Sequence, residues 1–154
     1  MQFLENLLAS TNTNKYELAR LMERTPQNIF SYFQRDDMKL SYAQEIASRL
    51  GYNLRFSLEN NKSRAGKVIL DMESLVGDEQ MQRLAFLQVA LKLNNIARKE
   101  LAEKLELNYT GVNRWFKVDD IAISYIFKIA DLYNLRVSIK AEKVDISPKV
   151  VELS

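Results

Sequence analysis

The sequence predicts a mainly α protein with a small β component, built as two tandem copies of one unit: four short helices each, followed by strands that can form a shared antiparallel sheet. Three observations predict it. First, residues 3–47 align without a gap on residues 86–130, an offset of 83, with 15 identities in 45 positions, among them Leu18/Leu101, Ala19/Ala102, Asp36/Asp119, Asp37/Asp120, Ser41/Ser124 and Ile46/Ile129. After a two-residue length difference the match resumes, 52–58 against 133–139. Second, apolar residues recur at steps of three and four while Gly and Pro number only 4 and 2, the pattern of short amphipathic helices. Third, the period falls to two at the end of each copy. A duplicated unit suggests a dimer tied into one chain, its halves related by a pseudo-two-fold axis.

The first helix of each copy carries an apolar stripe, Phe3, Leu4, Leu7 and Leu8 in one and Leu84, Phe86, Leu87 and Leu91 in the other. A second helix starts near Asn14 or Ala97 and turns Leu18, Ala19 and Met22, or Leu101, Ala102 and Leu105, inward. Thr25 and Asn108 are N-cap types, and Pro26 suits the first helical position, where its missing N–H would have had no partner. The third helix presents Ile29, Tyr32 and Phe33, or Val112, Trp115 and Phe116, to the core. Ser41 and Ser124 are candidate N-caps of a fourth helix, carried by Ala43, Ile46, Ala47 and Leu50 or by Ile126, Ile129, Ala130 and Leu132. Leu54, Phe56 and Leu58 then alternate with Arg55 and Ser57, as Leu135, Val137 and Ile139 do with Arg136 and Ser138, which reads as a strand. Runs at 67–70 and 149–151 suggest a second strand per copy, the first after a turn at 60–63. A lone pair of strands is marginal in water, so four strands are expected in one central sheet.

The expected boundaries are 1–72 for the first unit, 73–80 for a linker and 81–154 for the second, with Asp78 after Gly77 starting the next helix. Composition excludes whole classes of chemistry. Cysteine and histidine are both absent, which removes disulfides, thiolate nucleophiles, imidazole bases and the zinc or haem sites that use them. No catalytic constellation, cofactor or metal is expected. The paired acids Asp36-Asp37 and Asp119-Asp120 lack a third carboxylate or a Gly-centred loop, so a capping or turn role is expected for them over cation binding. Formal net charge is +2, from 22 Lys+Arg against 20 Asp+Glu, so any basic face must be local. No run approaches the length of a membrane span and no basic leader opens the chain, which points to a cytoplasmic protein.

Residues 101–115, Leu-Ala-Glu-Lys-Leu-Glu-Leu-Asn-Tyr-Thr-Gly-Val-Asn-Arg-Trp, resemble the helix-turn-helix of the Cro/phage-repressor (XRE-like) family, and residues 18–32 are similar with weaker side chains. The family usually has Gly in the turn, where this chain has Glu23 and Glu106, and Glu-Asn-Gly after the recognition helix, where it has Gln-Arg-Asp-Asp at 34–37 and Lys-Val-Asp-Asp at 117–120. The resemblance covers about 3–58 and 84–139 and implies that the third helix of each copy enters the major groove of double-stranded DNA. The base readers it implies are Pro26, Gln27, Phe30 and Ser31 in the first copy and Tyr109, Thr110, Asn113 and Arg114 in the second. Gln27 matches adenine and Arg114 matches guanine bidentately. Lys15 and Arg98 open the second helices and are the implied phosphate partners, with Asn14, Arg35, Lys39 and Lys117 as weaker candidates. Phe30 is a large apolar side chain expected on an exposed face.

Two functions compete. One is a transcriptional regulator that grips successive major grooves of an imperfect palindrome as an intramolecular pseudo-dimer. The other is a protein-interaction module, such as the antitoxin of a toxin–antitoxin pair, whose helix–strand order it also resembles, or a helix-turn-helix domain that no longer binds DNA. Further homodimerisation is compatible with either.

Overall fold

The computed structural model describes residues 2–60 and 82–144, which hold eight helices and two strands. In chain order these are α1 (Gln2–Ser10), α2 (Lys15–Leu21), α3 (Pro26–Arg35), α4 (Leu40–Arg49), β1 (Tyr52–Asn60), α5 (Ala85–Leu93), α6 (Arg98–Lys104), α7 (Tyr109–Val118), α8 (Ile123–Leu132) and β2 (Leu135–Lys143). The described residues form two compact units, each drawing on both repeats: 2–36, 42–55 and 140–144 in one, 37–41, 56–60 and 82–139 in the other. The runs at 67–70 and 149–151, the linker and the Asp78 helix start lie outside the described residues.

Turn chemistry explains why the helices stop where they do. Among the described residues eight have positive φ and they fall into four pairs 83 apart: Asn12/Asn95, Glu23/Glu106, Asp36/Asp119 and Gly51/Asn134. After α2, Glu23 N–H reaches the Arg20 carbonyl (3.1 Å) and Arg24 N–H reaches Ala19 (2.9 Å); after α6, Glu106 N–H reaches Glu103 (3.1 Å) and Leu107 N–H reaches Ala102 (2.9 Å). This crossed pair of bonds satisfies helix-end carbonyls and requires a left-handed residue between them. Glu fills that position at φ 55° and 57°, a conformation that costs a residue with a Cβ about 1–2 kcal/mol.

N-termini are capped less uniformly. Asn14 Oδ1 accepts from Glu17 N–H at 2.8 Å and Thr25 Oγ1 from Asn28 N–H at 3.2 Å, whereas Ala97 and Asn108 make no side-chain cap bond. Ser41 and Ser124 correct an expectation. They lie inside the first turns of α4 and α8 rather than at the N-cap, and the capping oxygens come from the other repeat. Ser124 donates its N–H to Asp37 Oδ1 (3.0 Å) and its hydroxyl to Oδ2 (2.8 Å). Ser41 donates its N–H to Asp120 Oδ1 (3.0 Å) and its hydroxyl to Oδ2. Between these caps Lys39 and Ala122 form an antiparallel bridge, with Leu40 N–H on the Ile121 carbonyl and Ile123 N–H on the Met38 carbonyl, both 2.8 Å. The segment 37–41 thus belongs with 120–124, and its Met38 and Leu40 are buried there.

The cores are wholly apolar among the described residues. Leu4, Leu18, Ile29, Ala43, Ile46 and Ala47 are buried in one unit, and Leu84, Leu87, Leu101, Val112, Ile126 and Ile129 in the other, each large aliphatic side chain contributing roughly 1.5–3 kcal/mol of transfer free energy. Leu132 departs from expectation. It is 43% exposed, because α8 keeps the 83-residue offset and places Leu132 where α4 has the exposed Arg49. The strands keep that offset too, 52–60 against 135–143, so the matching side chains found at 52–58 and 133–139 stand two residues apart in the fold. An even slip preserves the face each residue points to. β1 and β2 pair in a two-stranded sheet. Val144 N–H meets the Gly51 carbonyl at 2.8 Å and Arg136 meets Glu59, so the pairing is antiparallel.

Candidate nucleic-acid interface

α2 packs on α3 and α6 on α7, so the start of each second helix lies beside the third. In the second repeat the geometry is direct. Arg98, the first residue of α6, lays its guanidinium 4.0 Å from the centroid of the Phe116 ring and donates from Nη1 to Asn113 Oδ1 at 3.2 Å. A cation over an aromatic face is held electrostatically by the ring quadrupole. Two predicted residues, one for phosphate and one for a base, are therefore brought together on α7. Arg98 makes no ion pair among the described residues.

Around that contact, Tyr109, Thr110, Asn113 and Arg114 share one flank of α7 through their i, i+4 spacing. Tyr109 is 50% exposed, and Thr110, Arg114 and Lys117 are exposed. Neither Arg114 nor Lys117 is paired with a carboxylate among the described residues. The flank therefore combines planar and point donors, a hydroxyl and an amide, which is the chemistry of base and phosphate contact.

The first repeat keeps the positions and changes the electrostatics. Lys15 Nζ lies 4.7 Å from the Phe33 ring centroid, as Arg98 does from Phe116, but it also forms a 3.0 Å ion pair with Glu5. The residue at Glu5's place in the second repeat is Gln88. Gln27 is exposed and Ser31 is half-buried, its carbonyl accepting from Arg35 Nε at 3.4 Å, while the Arg35 guanidinium covers Tyr32 at 4.8 Å. Asn14 is spent on capping α2. Phe30 is half-buried and not exposed, because Tyr16 meets it edge-to-face with centroids 5.1 Å apart. Tyr16 is itself 62% exposed, and periodicity gave no sign of it because its apolar ring rests on a side chain from another helix.

Other features escaped sequence reading. Asp119 accepts N–H bonds from Arg83 (2.7 Å) and Leu84 (2.9 Å), holding the start of α5, and its backbone carbonyl accepts from Arg83 Nη1 at 2.8 Å. Asp37, Asp119 and Asp120 thus accept from backbone or hydroxyl donors. Behind α6, the Tyr133 hydroxyl donates to Glu100 at 3.0 Å; partial burial and this bond raise its pKa to about 12. Burial, and then the neighbouring Tyr32, raise the pKa of Tyr42 as well, and its hydroxyl has no hydrogen-bond partner among the described residues. No helix among the described residues is long and apolar enough to cross a membrane. The chain matches no family model, no curated protein and no solved structure.

Proposed function

We propose that this chain is a sequence-specific double-stranded DNA-binding protein that regulates transcription without catalysis, using α2–α3 and α6–α7 as two helix-turn-helix units. One observation carries the reading: Arg98 braced on Phe116 and hydrogen-bonded to Asn113, beside the exposed donors Thr110, Arg114 and Lys117. Identical crossed hydrogen bonds after α2 and α6 support a common unit. The reciprocal caps support a covalent pseudo-dimer, since residue pairs 37·124 and 120·41 exchange roles as they do across a two-fold contact. Its operator is an imperfect palindrome, because the readers of the two repeats differ. Binding to random-sequence duplex across a series of salt concentrations tests the proposal, with log affinity expected to fall linearly with log salt. A salt-insensitive absence of binding by folded protein sinks it.

A second reading, an antitoxin-like module or other protein binder, is favoured by the first repeat alone. Tyr16 and Leu21 are 62% and 43% exposed on α2, and the cation beside them is neutralised by Glu5. A partner captured by the wild type and lost in Tyr16→Ser would support it.

A further inference from the structure

A groove of about 480 Å³ opens along α7 in the second unit, within the range of small-molecule sites. Trp115 and Tyr125 line it as a tilted ring pair with centroids 5.1 Å apart. Lys39, Thr110 and Arg114 also line it, and all three are exposed. Neither cation makes an ion pair among the described residues. The acid in the lining, Asp120, has its oxygens engaged by Ser41 N–H, the Ser41 hydroxyl and Ile121 N–H, and against it the two cations Lys39 and Arg114 leave the lining net positive.

Gly111 lies in the lining and is itself exposed. A Cβ built there meets nothing within 4 Å. The matching residue of the first repeat is Asn28, whose amide oxygen is buried, and four residues on along the same helix Tyr32 pairs with Tyr42 as tilted rings with centroids 4.5 Å apart. The two repeats therefore share the aromatic pair and differ in the residue four positions before its first ring, Asn28 against Gly111.

We propose that this groove binds a small planar aromatic carboxylate, its ring against Trp115 and Tyr125 and its carboxylate on Arg114 and Lys39. A flat apolar body suits the ring pair, and a carboxylate suits the guanidinium fork, which holds it with charge-assisted bonds. Arg114 is shared with the DNA-reading flank, so occupancy withdraws it from a base edge and weakens DNA binding; that coupling rests on the function proposed above.

The probe is trans-cinnamate, with trans-cinnamamide as the neutral control, titrated into the full chain by calorimetry and followed by fluorescence of Trp115, the single tryptophan. Saturable binding of the acid is expected, about tenfold or more tighter than the amide, with Arg114→Gln and Gly111→Asn each weakening it by about tenfold or more. Thermal unfolding of Gly111→Asn, unchanged or raised, shows that the variant is folded. No saturable signal, equal binding of acid and amide, or full binding by Gly111→Asn overturns the site. Cinnamate binding without any DNA binding leaves the site standing and removes the regulatory function; salt-dependent DNA binding without cinnamate binding does the reverse.

Discussion

The two repeats place a cation over the same phenylalanine and then treat it in opposite ways. Lys15 over Phe33 is tied to Glu5, while Arg98 over Phe116 has Gln88 at the equivalent place and turns to Asn113 instead. A single acid-to-amide difference in the first helix decides whether the charge at the head of the second helix is available to an anion. The same contrast recurs at Asn28 and Gly111. The two repeats share their turn positions and differ in the side chains they expose.

The largest expected effect tests what the repeats share. Replacing Asp37 and Asp120 together by Ala strands the N–H and hydroxyl of both Ser41 and Ser124, which is expected to cost about 2–3 kcal/mol of unfolding free energy. If the exchange is symmetric, each single variant loses about half, measured by urea denaturation. Next, Arg114→Gln is expected to weaken binding to the preferred duplex by about 10- to 100-fold and to relax selectivity at one base pair, whereas Lys15→Ala changes affinity by less than about threefold. Equal losses from the two would erase the asymmetry. Glu5→Gln sharpens it from the other side: freeing Lys15 is expected to steepen the slope of log affinity against log salt by about 1. The smallest effect concerns the turns. Glu23→Gly and Glu106→Gly are each expected to raise stability by about 0.5–1 kcal/mol in thermal unfolding, by relieving positive φ at residues that carry a Cβ.

Much of this was legible beforehand, and the rest was hidden for definable reasons. The helices at Asn14, Thr25, Ala97 and Asn108 begin where capping types and apolar spacing put them, because those signals are local. Ser41 and Ser124 looked like caps because their residue type is right; that an aspartate from the other repeat holds them depends on pairing across the chain. Phe30 carried an exposed apolar signal that Tyr16 absorbs through a tertiary contact. The neutralised Lys15 and the groove beside Gly111 could not be read from one repeat. Both become visible only as differences between matched positions once the fold says which positions match.

The exchanged caps also bear on how the chain is made. The carboxylate that completes the start of α4 lies 79 residues downstream of Ser41. At roughly 5–20 residues per second of synthesis, that is a wait of about 4–16 s in which the leading half is on the ribosome with its fourth helix unfinished. Folding must close that long loop before the helix gains its partner, adding a non-local contact to a chain otherwise rich in local turns. Until then the nascent leading repeat presents the N–H and hydroxyl of Ser41 without the carboxylate that caps them.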